Sequence, residues 1–125
     1  IPKILDVAHN RESIKALVNN LKRIPCYGKT HIILGMLKDK DHQRVIKELI
    51  EITDTWHFVS ISQDRGIEAK ILTSKLKALG RLENISEYSN VGEALDKIHK
   101  LSMPDDRIII TGSFYTVGAA IRYLN

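Results

Sequence analysis

Four short runs hold the residues able to do chemistry. Asp6-Val7-Ala8-His9-Asn10 sets a carboxylate, an imidazole and an amide within one turn's reach. Gly35-Met36-Leu37-Lys38-Asp39-Lys40-Asp41 follows a glycine with alternating cations and carboxylates, and Ser62-Gln63-Asp64-Arg65-Gly66 is a second polar turn. Gly112-Ser113-Phe114-Tyr115-Thr116 joins a glycine to three hydroxyl side chains. His9 can donate to a phosphate oxygen or a ribose, or merely bond backbone. Asp6 and Asn10 either face a ligand or serve the N-terminus of the next helix, Asn10 as its cap. Lys38 to Asp41 reads as a solvated turn with Asp41 as a helix cap. Gly112 with Ser113 is either a strand-to-helix turn capped by serine or a set of backbone and hydroxyl donors for a carboxylate.

Several stronger signatures are missing. No G-x-x-x-x-G-K-[ST] phosphate loop occurs, so no Walker-type ATP site is complete within the sequence. No G-x-G-x-x-G follows the first strand-forming run, which argues against the usual dinucleotide fold. The five histidines lack metal-ligand spacing and Cys26 stands alone, so neither a structural zinc nor an internal disulfide is expected. His31 and His57 lie inside strand-forming runs and read as structural. Ser113 has no G-x-S-x-G context for a hydrolase nucleophile.

The elements that must position these runs alternate regularly. Strands are expected at Pro2 to Asp6, Thr30 to Leu34, Trp56 to Ile61, weakly at Ile85 to Tyr88, and at Asp106 to Thr111. Between them lie amphipathic helices. The first is capped by Asn10 with Ile14, Leu17, Val18 and Leu21 on one face. The second is capped by Asp41, with Val45, Ile46, Leu49, Ile50 and Ile52. The third carries Ile71, Leu72, Leu76 and Leu79 and stops at Gly80. The fourth runs from about Val91 with Leu95, Ile98 and Leu101, and Tyr115 to Leu124 forms the last. Such alternation predicts one three-layer α/β/α, Rossmann-like domain with a mainly parallel sheet and right-handed crossovers. Ligands of such sheets bind beyond the carboxyl ends of the strands. All four chemical runs fall there, beside helix N-termini that favour anions. A phosphate or carboxylate ligand is the expectation.

Length and composition set the outer bounds. The 125 residues suffice for one domain, and 43% hydrophobic with 27% charged residues marks an ordinary globular chain. No run approaches the ~20 apolar residues of a membrane span, and with no signal peptide and one cysteine a cytoplasmic setting is expected. Nineteen Lys and Arg against 15 Asp and Glu give a net charge of +4. Those cations are dispersed, so a solvated surface is favoured over a nucleic-acid patch, and a stand-alone phosphate- or nucleic-acid-binding module is the alternative from a different class. Ile1 in place of Met suggests a piece of a longer polypeptide.

In this order, the runs resemble the C-terminal domain of the folylpolyglutamate synthase/dihydrofolate synthase family, within the Mur ligase superfamily. The resemblance rests on Asp6-x-Ala8-His9-Asn10, Gly35 to Asp41, the Trp56 strand, Arg65-Gly66, Glu93-Ala94-Leu95 and Gly112 to Gly118. Val7 and Arg11 depart from it, standing where the family often has Gly and Pro. The resemblance implies an ATP-dependent amide ligase that activates a folate or dihydropteroate carboxylate as an acyl phosphate for attack by L-glutamate. It further implies that ATP and Mg2+ are held mainly by an N-terminal ATPase domain of the same polypeptide, and that the parent enzyme is a monomer. Carried over, Asp6, His9 and Asn10 would bind ATP, with His9 near the acyl phosphate, and Ser113 and Lys40 would bind glutamate. No metal ligand is expected among these residues, and the piece alone is expected to be inactive. Another Mur-type amino-acid ligase is the nearest competing reading.

Overall fold

The computed structural model describes residues 1–125. Five strands alternate with five helices: β1 (Lys3–Leu5), α1 (Arg11–Lys22), β2 (Thr30–Leu34), α2 (His42–Leu49), β3 (Thr55–Val59), α3 (Ala69–Ala78), β4 (Ile85–Tyr88), α4 (Val91–Leu101), β5 (Arg107–Thr111) and α5 (Phe114–Leu124). The strands form one sheet in the order β1-β5-β2-β3-β4, and every neighbouring pair is parallel. The mainly parallel sheet expected from the sequence is therefore wholly parallel.

The sequences of the central strands explain their position. β2 (Thr-His-Ile-Ile-Leu) and β5 (Arg-Ile-Ile-Ile-Thr) are buried at every residue, and β-branched side chains suit a sheet covered on both faces. Alternate residues feed two cores. Ile32, Leu34, Trp56, Phe58 and Ile109 join the buried faces of α1, α2 and α3. Ile33, Val59, Ile108 and Ile110 join α4 and α5 on the opposite face. Each such side chain contributes about 1.5–3 kcal/mol when fully buried.

The helices start where their caps say they should. Asn10 and Ser13 form a reciprocal capping box, and Asp41, Asn90 and Ser113 each accept a backbone N–H of the first turn. Gly80 ends the α3 unit with φ +89°, a conformation that favours glycine.

Several boundaries and two side chains differ from the periodicity. β3 stops at Val59 because the amide of Ile61 leaves the ladder and donates to the Ile67 carbonyl at 3.2 Å, closing the polar turn. β1 is regular only over Lys3–Leu5, yet the Pro2 carbonyl and the Asp6 amide still bond β5. α2 ends at Leu49, leaving Ile50 and Ile52 to pack beyond its last turn. α5 begins at Phe114, directly after its cap. Ile71 and Leu101 are exposed: Leu72 and Leu76 take the sheet-facing stripe of α3, and Leu101 is the terminal residue of α4.

Candidate functional site

The helices following β2 and β5 lie on opposite faces of the sheet, so the carboxyl ends of these neighbouring strands diverge into a crevice. Its floor is set by two glycines. Gly112 adopts φ +113°, and a Cβ there would lie 2.3 Å from the Gly35 carbonyl oxygen. Only glycine permits both the backbone conformation and the approach. Four hydrogen bonds then tie three strand ends together. The Gly112 amide and the Thr111 hydroxyl both donate to the Ala8 carbonyl, at 3.0 and 3.1 Å. The Gly35 amide donates to Thr111 at 3.4 Å, and the Thr116 hydroxyl donates to the Gly35 carbonyl at 2.9 Å. Thr111 and Thr116 are braces that the motif reading passed over; their hydroxyls flanking Gly112 were the available signal.

Above this floor lies a cleft of about 170 Å³ lined by His9, Leu37, Lys40, Arg65 and the segment Gly112 to Tyr115. The His9 Nδ1 lies 2.9 Å from the Val7 carbonyl, so Nδ1 carries a proton and Nε2 is left for a ligand. Lys40 and Arg65 bring permanent positive charge, and α5 adds the partial charge of an eleven-residue helix N-terminus. The cleft therefore suits an anion.

Arg65 is the residue that motif reasoning placed beside the site without giving it a role. It joins the loops after β2 and β3. Its guanidinium pairs with Asp39, its carbonyl accepts from the Lys38 amide at 2.6 Å, and Gly66 bridges to Leu37. Desolvation would raise the Asp39 carboxyl, but its own backbone amide, Arg65 and Lys40 outweigh this and hold it below the usual carboxylate range. The His42 Nε2 donates to the Leu37 carbonyl at 2.8 Å, fixing the same loop from its other side.

The remaining expected site residues are placed differently. Asp6 accepts the Ala8 amide at 2.8 Å, shaping the loop that carries His9, and it does not line the cleft. Asn10 is spent on the α1 cap and also lies outside. Ser113 lines the cleft but is only 3% exposed. Its oxygen accepts the Thr116 amide at 3.1 Å, and since Thr116 donates onward to Gly35, the Ser113 hydroxyl donates to the Thr116 Oγ1 at 2.9 Å. The serine is thus a cap in this state, and recognising a carboxylate would redirect its proton. His9, Lys40 and Ser113 come together; Asp6 and Asn10 stand behind them. No group of three or more His, Cys, Asp or Glu is placed to hold a metal ion. No helix is long and apolar enough to cross a membrane.

A wholly parallel α/β domain with a cationic cleft at its switch point defines the Rossmann-like class of fold, whose ligands bind beyond the carboxyl ends of the strands. The match to known proteins is narrower: the family described as Mur ligase, glutamate ligase domain, covers residues 2–114, and the chain belongs to it. The dihydrofolate synthase/folylpolyglutamate synthase of Escherichia coli (strain K12) is 29% identical over 122 residues, which are 98% of this chain and 28% of the relative. The same-named protein of Haemophilus influenzae is 35% identical over 118 residues, 91% of this chain and 26% of its own length. The chain thus spans little more than a quarter of the curated relatives it matches. Among solved structures, E. coli FolC in complex with DHPP and ADP superposes with a TM-score of 0.89 at 28% identity, covering 98% of this chain and 28% of FolC. A bifunctional folylpolyglutamate synthase/dihydrofolate synthase with Mn, AMPPNP and L-glutamate bound gives 0.88 at 32% identity, covering 98% of this chain and 29% of that one.

Proposed function

We propose that this chain is the C-terminal, glutamate- and nucleotide-binding domain of an ATP-dependent folylpolyglutamate synthase/dihydrofolate synthase. The observation that carries the reading is its 32% identity, over nearly its whole length, with a synthase solved with AMPPNP and L-glutamate bound. The cationic cleft is the physical counterpart. An N-terminal ATPase domain of the same polypeptide supplies the phosphate loop and the divalent cation. Mg2+ is the expected ion, held mainly by residues outside this chain.

In this reading the domain does three things. His9, through its free Nε2, and the loop shaped by Asp6 and Asn10 face the nucleotide and the acyl phosphate. Lys40 and Ser113, aided by Arg65 and the α5 N-terminus, hold the carboxylates of glutamate. Fixed donors such as Lys40, Arg65 and the α5 amides stabilise the anionic acyl phosphate and its tetrahedral successor best where domain closure excludes water. His9 Nε2, its ring proton on Nδ1, accepts from a hydroxyl. Holding the glutamate amine beside the acyl carbon contributes by lowering the entropy cost of their encounter.

The test is phosphate release. The intact enzyme containing this chain should release phosphate from ATP only when both a folate or dihydropteroate acceptor and L-glutamate are present. The 125-residue chain alone should release none, since half of each pocket belongs to the other domain. Release by the isolated chain, or ligation of a different amino acid in preference to glutamate, would overturn the proposal.

A further inference from the structure

From the amino end of β2 and β3 to the carboxyl end of β4, five side chains form an unbroken hydrogen-bonded line. Asp106 Oδ2 lies 2.8 Å from His31 Nε2, and His31 Nδ1 lies 2.6 Å from Thr55 Oγ1. Thr55 Oγ1 lies 2.8 Å from His57 Nε2, and His57 Nδ1 lies 3.0 Å from the Tyr88 hydroxyl. The line crosses from the loop before β5 through β2 and β3 to β4. His31, His57 and Asp106 are all buried, and no buried side-chain polar atom of the chain lacks a partner.

Proton bookkeeping gives this line two complete states. In the first, both histidines are neutral. Tyr88 donates to His57 Nδ1, His57 Nε2–H to Thr55, the Thr55 hydroxyl to His31 Nδ1, and His31 Nε2–H to the Asp106 carboxylate. In the second, one proton has been added. His31 is an imidazolium donating to both Asp106 and Thr55, the Thr55 hydroxyl donates to His57 Nε2, and His57 Nδ1–H donates to the Tyr88 oxygen. The partly exposed Tyr88 then turns its own proton to solvent. All four bonds survive in both states because each imidazole and hydroxyl can act as donor or acceptor. A second added proton has no such arrangement, since two imidazolium rings 6.0 Å apart would share one carboxylate.

We propose that the Asp106–His31–Thr55–His57–Tyr88 line is a proton-responsive relay, in which uptake of one proton from solvent charges His31 while the Thr55 hydroxyl and the His57 tautomer reverse together. The reversal moves four protons by one hydrogen bond each: solvent to Tyr88 Oη, Tyr88 Oη to His57 Nδ1, His57 Nε2 to Thr55 Oγ1, and Thr55 Oγ1 to His31 Nδ1. No electrons are gained or lost. The charge ends beside Asp106, where it is paired and burial is tolerated.

Other titratable groups flank the line: Glu68, Lys70, Glu87 and the α4 residue Glu93 line a hollow with Tyr88, and His99 lies further along α4. An adjoining hollow of about 610 Å³ gives solvent access. At the His31 end, the turn before β2 contributes Tyr27 and Lys29 to its wall, the loop before β5 contributes Asp105 and Asp106, and α4 contributes Ile98 and Leu101. Arg107 turns away, its guanidinium bonding Thr30 and the carbonyls of Leu21 and Ile24. Asp106 is further fixed by the amides of Lys29 and Met103, at 2.8 and 3.0 Å. Burial, and secondarily His31, pushes His57 down to about 4.

The test is nitrogen NMR on the chain with 15N-labelled histidine, titrated downward from neutral pH. As His31 becomes an imidazolium, His57 should remain neutral but exchange its Nε2–H form for its Nδ1–H form, with one shared midpoint. Thr55→Val should freeze the His57 tautomer and lower the proton affinity of His31 about tenfold, one pK unit, by removing an acceptor of its charged form. Thr55→Ser should restore the coupling. A His57 ring that keeps one tautomer throughout, or that becomes an imidazolium before His31, overturns the relay. So does coupled behaviour in Thr55→Val. Should that variant not fold, the unmodified chain and Thr55→Ser decide the question.

Discussion

Gly112 sits against the carbonyl of Gly35 so closely that no side chain fits between the ends of β5 and β2. This contact sets the height of the cleft floor, and with it the position of Ser113 relative to His9 and Lys40.

Gly112→Ala is expected to destabilise the fold by roughly 3 kcal/mol or more, because it combines an unfavourable positive φ with a backbone clash. Urea unfolding should show a lower midpoint with an unchanged slope. A midpoint within experimental error of the parent would show that the strand ends separate freely.

Ser113→Ala should cost about 1 kcal/mol of stability through the lost cap. In the intact enzyme it should raise the KM for glutamate far more than that for ATP. Equal changes in both constants would reduce Ser113 to a cap alone.

Arg65→Ala removes the clasp to Asp39 and one cation of the cleft. Both partners are largely exposed, so the melting temperature should hardly move. The glutamate KM of the intact enzyme should rise, and added salt should narrow the gap between variant and parent. A large loss of thermal stability with unaltered kinetics would place Arg65 in the scaffold only.

Acid should weaken the fold through His57 before it reaches the carboxylates. The folded ring at about 4 binds fewer protons than the unfolded ring at 6.5. Stability is therefore complete above 6.5 and falls as pH drops towards 4, by about 3 kcal/mol at the lower end. Asp106 acts lower down. Burial would raise it, but the amides of Met103 and Lys29 and the His31 ring hold it at about 2, so its contribution fades as pH falls below 3.8. Urea unfolding from pH 7 to 4 should show the first loss, and His57→Asn should flatten it. A parent curve level down to pH 4 would contradict this assignment.

The alternation of elements was legible because each helix announces itself twice, by a capping side chain and by a stripe of apolar residues. Asn10 with Ile14 and Leu17, and Asn90 with Ala94 and Leu95, are examples. Strand order was not legible: nothing in Lys3 to Leu5 says that its partner is Ile108 to Ile110 rather than β2. Within the site, His9, Lys40 and Ser113 could be placed from their positions after strands. Asp6 and Asn10 sit in the same short run yet face elsewhere, because a turn rotates successive side chains through large angles. Arg65 was singled out without a role, because its partners, Asp39 and Lys38, are distant in sequence and are brought to it only by the fold. His31 and His57 were read rightly as part of the strands, but their joint line through Thr55 depends on parallel register, in which His31 stands opposite Thr55.

The pairing of the first strand with the last has a consequence for biosynthesis. β1 has β5 as its only partner, so its hydrogen-bonding edge waits until residues 107–111 have been made. At about 5–20 residues per second, that interval is on the order of five to twenty seconds. The sheet joins the first and last strands of the domain, so a ribosome that stalls before Ile108 leaves a nascent chain whose β2–β3–β4 portion can pair while β1 and one side of β2 remain open to other strands.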